Sequence, residues 1–444
     1  MDAWVEPSPA AGTVRAPASK SATIRTVACA ALADGASTIL DPSTCDDAEA
    51  ALRIVAALGA TVERSERGDR PALLIRGPLD ASSIRSPVVV SCGESALCLR
   101  LYSAVAALLP VETELTGEGS LRTRPAGMAE APLRALGVEC FTNDRFPPVR
   151  VRGPMRGADL RVDASASSQF LTGLLVALPL ADGDSRVDVV GLSGRGYMDM
   201  TLDTVRAFGG VVRETAARDV GTAVFAIPGG QRYRPVEYAV EGDWSGAAFM
   251  LVAGSIAGVV PGRGGQRGVQ VTGLRMDSRQ PDRAVLEALA SAGVAFRVDS
   301  DSVLVEPGSP RAFRFDANAC PDLVPPLVAL ASRCEGESRI AGVGRLRTKE
   351  SDRAAALAGE FGKLGLPVVV DGDELVIRPG VRLRGGTVSA RGDHRVAMAL
   401  AVAGLAADGR VVIEGAECVG KSYPGFFADM ASLSVSTAPS GMQA

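Results

Sequence analysis

ALRIVAALGATV, residues 51–62, is the stretch from which the architecture can be read. Its apolar positions keep helical spacing up to Leu58. Gly59 follows, and Ala-Thr-Val then turns β-like. A glycine just past the last helical residue takes the left-handed backbone that ends a helix. The segment therefore reads as helix, stop, strand. The same pattern returns as APLRALGVEC around Gly137, LDTVRAFGGVV around Gly209, VLEALASAGVAF around Gly293 and AGEFGKLGLPVVV around Gly365. The markers lie 72 to 84 residues apart. That period is too long for a solenoid repeat and fits a whole folding unit.

A second, more apolar set alternates with the first. It comprises SKSATIRTVACAALADGASTIL (19–40), CGESALCLRLYSAVAALLPVETEL (92–115), SASSQFLTGLLVALPLADGDSRVDVV (165–190), GDWSGAAFMLVAGSIAGVV (242–260), CPDLVPPLVALASRCEGESRIAGV (320–343) and GDHRVAMALAVAGLAADGRVVIEG (392–415). A helix apolar on nearly every side must be buried, and each of these is followed by a turn and a strand. With SYPGFFADMAS (422–432) as the sixth amphipathic partner, the chain reads as six α/β units, which divide into two domains of three.

The polar residues of the buried helices gather at their N-termini: Ser19-Lys20-Ser21, Gly93-Glu94-Ser95, Ser167-Ser168-Gln169, Gly242-Asp243, Pro321-Asp322 and Gly392-Asp393-His394-Arg395. Ser, Asp and Gly there are ordinary caps. Lys20, Arg25 and Arg395 are not, because cations are disfavoured in a first turn, and neither is the long neutral amide of Gln169. Their placement makes sense if an anion joins them, since free N–H groups and the helix dipole hold phosphates. LRTKESDR (346–353) is a charged knot directly before a small apolar run, Ala354 to Leu357. Alone it would be a solvated surface turn.

Composition excludes several classes. A net charge of −4 without a dominant basic stretch gives no reason to expect nucleic acid. Eight scattered cysteines without a CxxC pair, and a single histidine, speak against a zinc site or a disulfide framework, and reduced cytoplasmic thiols are expected. MDAWVEPSPAAGTVRAP has no apolar core of a signal peptide. The apolar run 249–260 is too short and Gly-rich to span a membrane.

Eight motifs then carry a family likeness. SKSATIR, SSQFLTGLL, GYMDMTL, VEGDWSGAAF, CPDLVPPLVALA, LRTKESDR, GDHRVAMAL and CVGKSYPGFF, in this order from about Pro17 to Leu433, resemble those of bacterial 3-phosphoshikimate 1-carboxyvinyltransferases, or EPSP synthases. The resemblance implies a two-domain inside-out α/β barrel with three βαβαββ units per domain. The domains would be residues 20–237 and 238–436 plus 1–19, with the active site in the cleft between them. The domains would stand open without ligand and close on substrate. The implied reaction transfers the enolpyruvyl group of phosphoenolpyruvate to the 5-hydroxyl of shikimate 3-phosphate and releases phosphate. No metal or other cofactor, nucleic-acid or membrane partner is expected, and a cytoplasmic monomer is.

By the same resemblance Lys20, Ala96, Arg124, Gln169, Arg353, Arg395 and Lys421 would hold phosphoenolpyruvate. Ser21, Arg25, Ser167, Ser168, Gln169, Ser193, Tyr197, Asp322 and Lys349 would hold shikimate 3-phosphate. Both ligands are anionic, which suits Arg forks and Lys point charges. Asp322 is the expected base toward the 5-hydroxyl. Glu350, with Lys20, is the expected proton carrier at C3, because acid–base groups must flank the reacting carbon. An orienting role is expected of His394. Asp199 and Asp243 read as helix caps, and the cysteines as core fillers.

The chain departs from the family pattern at Ala18, Ile24, Trp244 and Arg345, and at Pro325-Pro326, which would kink a helix. The largest departure is GESALCLR (93–100), where sensitive relatives carry a GNAGT-like loop. Ala96 replaces its Gly, so weaker inhibition by glyphosate is expected. A sister transferase acting on UDP-N-acetylglucosamine would carry a reactive Cys within residues 106–125, and none is there. A non-catalytic phosphometabolite binder would not need Asp322 and Glu350. An RNA 3′-phosphate-processing enzyme would need a basic groove and a nucleophilic His.

Overall fold

The structure, a computed structural model, describes residues 1–215, 221–257, 268–380 and 382–434. The tail of the apolar run (258–260) and residues 435–436 of the expected second domain lie outside the described residues. Twelve α-helices are found among the described residues: α1 (Lys20–Leu32), α2 (Asp46–Ala57), α3 (Ala96–Ala106), α4 (Glu130–Ala135), α5 (Gln169–Ala177), α6 (Arg195–Ala207), α7 (Trp244–Ile256), α8 (Val285–Ser291), α9 (Val324–Ala331), α10 (Arg353–Lys363), α11 (His394–Gly404) and α12 (Phe426–Leu433). The odd-numbered helices are the apolar set and the even-numbered ones the amphipathic set. Gly59, Gly137, Gly209, Gly293 and Gly365 each end an even-numbered helix at φ between 71° and 97°, and a strand follows each.

The apolar helices are buried along their length. Every residue of α3, α7 and α11 is buried, as is α1 from Ala22 on. Strands such as Val88–Ser91 and Ser185–Val190 bury one face only. Asp159–Asp163 alternates exposed and buried residue by residue. Helices therefore sit inside and sheets outside, with the polar sheet faces toward water. Close helix approach makes this possible. A Cβ at Gly173 of α5 would lie 2.6 Å from the Leu101 carbonyl oxygen of α3.

Six small sheets are found among the described residues. The strand after each buried helix pairs in parallel with a leading strand and antiparallel with the hairpin or strand on its other side. Thus Val88–Ser91 runs parallel to Thr113–Thr116, which pairs with Phe146–Arg152. Two leading strands come from afar in sequence. Glu237–Ala239 leads for Gly35–Leu40, and Gly12–Arg15 leads for Val269–Thr272. Ala3–Val5 closes the sixth sheet against Val411–Glu414.

The chain divides into two compact units. One, here the N-unit, is Ala18–Val240. The other, the C-unit, is Met1–Pro17 with the chain from Glu241 on. Each has its own apolar core and three of the six sheets, all four-stranded except the one that Ala3–Val5 closes, which has three strands, so each is built of three α/β units. No helix among the described residues is long and apolar enough to cross a membrane.

Two local expectations are corrected. Pro325 and Pro326 do not kink a helix. They lie in the first turn of α9, where an N–H has no intrahelical acceptor to lose. Asp199 is not a cap: it lies within α6 and accepts from Arg195 Nε at 2.8 Å, one turn earlier. Asp243 does cap α7, accepting from Gly246 N at 2.9 Å. Trp244 begins α7 fully buried, its indole Nε1 donating to the Arg275 carbonyl at 3.2 Å.

Candidate active site

The charged knot is not a surface turn. Residues Val343–Thr348 form a 3₁₀ turn, and Asp352 caps α10 by accepting from Ala355 N at 3.1 Å. Arg353 is the first residue of α10, with its side chain 1% exposed. A guanidinium at a helix N-terminus needs compensation, and three carboxylates supply it. Arg353 Nε and Nη2 donate to Asp393 at 2.8 and 3.2 Å. Nη1 donates to Asp322 at 2.9 Å, and Nη2 also reaches Glu350 at 2.6 Å. The two expected acid–base residues are thus fastened to one buried arginine.

Each also faces further cations. Asp322 lies 3.3 Å from Lys349 Nζ and 3.1 Å from Arg395 Nη2. Glu350 lies 3.5 Å from Lys421 Nζ. Burial alone would raise the Asp322 pKa. Arg395, Lys349 and Arg353 outweigh it and hold the carboxyl well below its ordinary range. Burial would lower the pKa of Arg353, but Asp393, Glu350 and Asp322 raise it further. In the C-unit, then, Lys349, Glu350, Arg353, Asp322, Arg395 and Lys421 form one cluster. Asp393 joins it from the N-cap of α11, accepting also from Ser351 Oγ and Arg395 N. His394 opens α11 in the buried layer. Arg345 turns toward the Asn318 carbonyl at 2.9 Å.

In the N-unit the buried helices bring their N-termini together. Lys20, first in α1, pairs with the buried Asp47 at 3.0 Å. Arg25 lies one turn on, fully inside, and donates to Thr201 Oγ1, Thr172 Oγ1 and the Ser21 and Tyr197 carbonyls. All four are neutral acceptors, and burial lowers the Arg25 pKa to about 10. Arg100 of α3 donates through Nη1 to Ser167 Oγ (3.1 Å) and Gln169 Oε1 (2.9 Å), and through Nη2 to the Pro125 carbonyl (2.7 Å). Ser168 stands at the N-cap of α5 but makes no side-chain capping bond. Gly194 fits between Ser168 Oγ and the Tyr197 ring, 3.5 and 3.1 Å from where its Cβ would be. The Ser193 hydroxyl is buried and has no hydrogen-bond partner among the described residues. Arg124 is buried just after a 3₁₀ turn. Ala96 is the first residue of α3 and 3% exposed, while Ser95 caps Cys98 N at 3.3 Å.

Sequence reasoning missed four of these residues. Asp393 was legible only as a cap, and Arg100 only as the last residue of the divergent stretch 93–100. The pairing of Asp47 with Lys20 joins two helices and has no local signal. The fourth is Asp282, 2% exposed, which accepts from Ser245 Oγ. Burial and the charge of Asp322 push its pKa up to about 6, against the pull of Arg395 and the Ser245 bond. The environments of these two carboxyls push their pKa values apart.

That contrast gives a prediction. The Asp282 carboxyl carbon should titrate near pH 6 by ¹³C NMR, and Asp322 should stay ionised far below. Because the Asp282 value is raised, the folded state keeps a proton that the unfolded chain releases. Stability therefore falls as pH rises from about 4 to about 6, and Asp282→Asn should flatten that fall. An Asp282 signal already ionised at pH 4.5 would contradict the assignment.

The layering of helices within sheets, in two units of three, has solved counterparts. The EPSP synthase of Acinetobacter baumannii aligns with a TM-score of 0.76 over 98% of both chains at 24% identity. The enolpyruvyl transferase NikO of Streptomyces tendae gives 0.74 over 97% of both at 18% identity. The fold is that of the enolpyruvyl transferases. In sequence, 3-phosphoshikimate 1-carboxyvinyltransferases from Clostridium kluyveri and Aeropyrum pernix are 36% and 40% identical over 97% of this chain, and over 96% and 95% of their own. The family model of EPSP synthase (3-phosphoshikimate 1-carboxyvinyltransferase) matches residues 5–430. The chain belongs to the EPSP synthase family.

Proposed function

We propose that the protein transfers the enolpyruvyl group of phosphoenolpyruvate to the 5-hydroxyl of shikimate 3-phosphate, with release of phosphate. The observation that carries this reading is the fastening of Asp322 and Glu350 to Arg353 among Lys349, Arg395 and Lys421. A mere anion binder would gain nothing from two half-buried acids among its cations, because they compete with the ligand.

Asp322 takes the proton of the 5-hydroxyl as its oxygen bonds to C2 of phosphoenolpyruvate. Glu350 gives a proton to C3, and a tetrahedral intermediate forms. The C2–O bond to phosphate then breaks as C3 returns its proton, which restores the double bond in the product. Lys421, Arg395 and, from the N-unit, Lys20, Arg124 and Gln169 hold phosphoenolpyruvate. Ser21, Arg25, Ser167, Ser168, Ser193, Tyr197 and Lys349 hold shikimate 3-phosphate. Arg353 gives four of its five N–H groups to carboxylates, so an incoming carboxylate held by both Nη atoms would take the place of Asp322 or Glu350. That exchange would free the acid for proton transfer. Lys20, held by Asp47, supports Glu350 in the proton traffic.

All the residues named come from one chain. The reading therefore needs no second copy. Seven buried cysteines, none in a disulfide, suit a cytoplasmic enzyme. Phosphate release should require phosphoenolpyruvate together with shikimate 3-phosphate. Release with UDP-N-acetylglucosamine instead would reassign the acceptor.

Inhibition by glyphosate offers a second test. The Ser95 cap fixes Ala96 as the first residue of α3. By the family resemblance, its methyl would stand where sensitive relatives have Gly. Overpacking a tight site costs about 1–3 kcal/mol, or roughly one to two decades of affinity. Ala96→Gly should tighten inhibition by about that factor and move the phosphoenolpyruvate KM less. Equal inhibition constants in the two proteins would remove the steric account.

A further inference from the structure

The loop 91–95, which leads into the stretch furthest from the family pattern (93–100), is fastened to the turn that precedes Arg124. Glu94 accepts from Ser120 Oγ at 2.8 Å. Its carboxylate lies on Gly119, where a Cβ would come within 1.8 Å of Oε1. Gly119 also holds φ +45°, a conformation open to glycine. Only a residue without a side chain leaves Glu94 room at this place. Two further bonds join the same segments: Glu118 N donates to the Gly93 carbonyl at 2.8 Å, and Ser91 Oγ donates to Glu118 Oε1.

The turn beyond is closed by its own backbone bonds. Leu121 is fully buried and donates its N–H to the Glu118 carbonyl at 2.9 Å, and Arg124 N donates to the Leu121 carbonyl at 3.1 Å. One residue further, the Pro125 carbonyl accepts from Arg100 Nη2 at 2.7 Å. Arg124 thus stands between two anchors. Behind it is Arg100, which also orders Ser167 and Gln169. In front of it is the Glu94 loop.

We propose that Glu94 is a positioning residue, whose carboxylate fastens the turn Gly119–Thr123 through Ser120 and so sets Arg124 in place for phosphoenolpyruvate. The inference rests on the proposed function, and in particular on Arg124 holding that ligand. It assigns the divergent loop a purpose apart from the steric effect of Ala96. An acid beside an anion site would otherwise only repel the ligand, and directing it onto Ser120 and Gly119 turns it away from that role.

The test compares steady-state kinetics of Glu94→Ala, Glu94→Gln, Ser120→Ala and the Glu94→Ala/Ser120→Ala double variant, with Arg124→Ala as reference. Losing one hydrogen bond to a charged group should raise the phosphoenolpyruvate KM about tenfold. Glu94→Ala and Ser120→Ala should both show this, with kcat and the shikimate 3-phosphate KM within about twofold of wild type, as expected when only one ligand's binding is disturbed. Glu94→Gln should stay near wild type, because its amide oxygen accepts the same bond. The double variant should be no worse than Glu94→Ala, since the two side chains act as one contact. An unchanged phosphoenolpyruvate KM in Glu94→Ala, a Gln variant as impaired as Ala, or additive single effects would overturn the proposal. Should Glu94→Ala not fold, Ser120→Ala and Glu94→Gln still decide. An Arg124→Ala protein with unaltered phosphoenolpyruvate KM would overturn the assignment beneath it, and a wild type releasing no phosphate would overturn the function. Each failure is therefore told from the others.

Discussion

Asp322→Asn and Glu350→Gln should each cut turnover about 10²-fold or more, the usual scale for acid–base groups, while both substrates still bind. Neither change alters shape. The amide oxygen that either substitution introduces can still accept from Arg353, which bonds both carboxylates in the wild type, so the cluster should hold together. What is lost is the capacity to take or give a proton. Each change also removes one negative charge from among Lys349, Arg353, Arg395 and Lys421, so affinity for the anionic substrates should not fall. Lys421→Ala and Arg395→Ala should behave in the opposite way and mainly raise the phosphoenolpyruvate KM. Measuring kcat and KM separately for the four variants distinguishes the two groups. Wild-type turnover in Glu350→Gln would show that the proton route at C3 is wrong.

Arg353→Met should destabilise the C-unit by about 3–5 kcal/mol, the cost of leaving a buried charge without its partner. The stranded charge is Asp393, 0% exposed against 1% for Arg353. Lys349→Met removes a cation from the same cluster, but at a side chain 21% exposed, and should cost no more than about 1 kcal/mol. Both tryptophans, Trp4 and Trp244, lie in the C-unit. Their fluorescence during denaturant unfolding therefore reports this unit without the other. Adding Asp393→Asn to Arg353→Met should recover part of the loss, because the uncompensated charge is then gone. Equal stability of Arg353→Met and wild type would mean that Asp393 finds another partner, and Arg353 would no longer be the organiser of the site.

The sequence by itself determined the six units and their order, and it marked most of the side chains that gather around Arg353. Helix periodicity, a glycine at each stop and apolar runs too uniform for a surface are local signals. They survive folding because backbone sterics and burial act at each position regardless of what lies opposite. Gly59, Gly137, Gly209, Gly293 and Gly365 take the left-handed backbone for this reason. The N-terminal cations were legible as an anomaly, because nothing near them in sequence explained their cost. Tertiary structure alone decided the partners. Arg353 meets Asp393 forty positions on and Asp322 thirty-one positions back, and Lys20 meets Asp47 across two helices. No window of sequence holds both members of such pairs. The same holds for Asp282, whose raised pKa comes from burial and from Asp322, neither of which is a property of the segment that carries it. It holds for Pro325-Pro326 as well: a prolyl pair breaks a helix interior but suits a first turn, and only the folded chain shows where the helix begins. Residue type and spacing set which groups the chain can offer. Packing sets which charges meet, and the electrostatics of the site follow from that meeting.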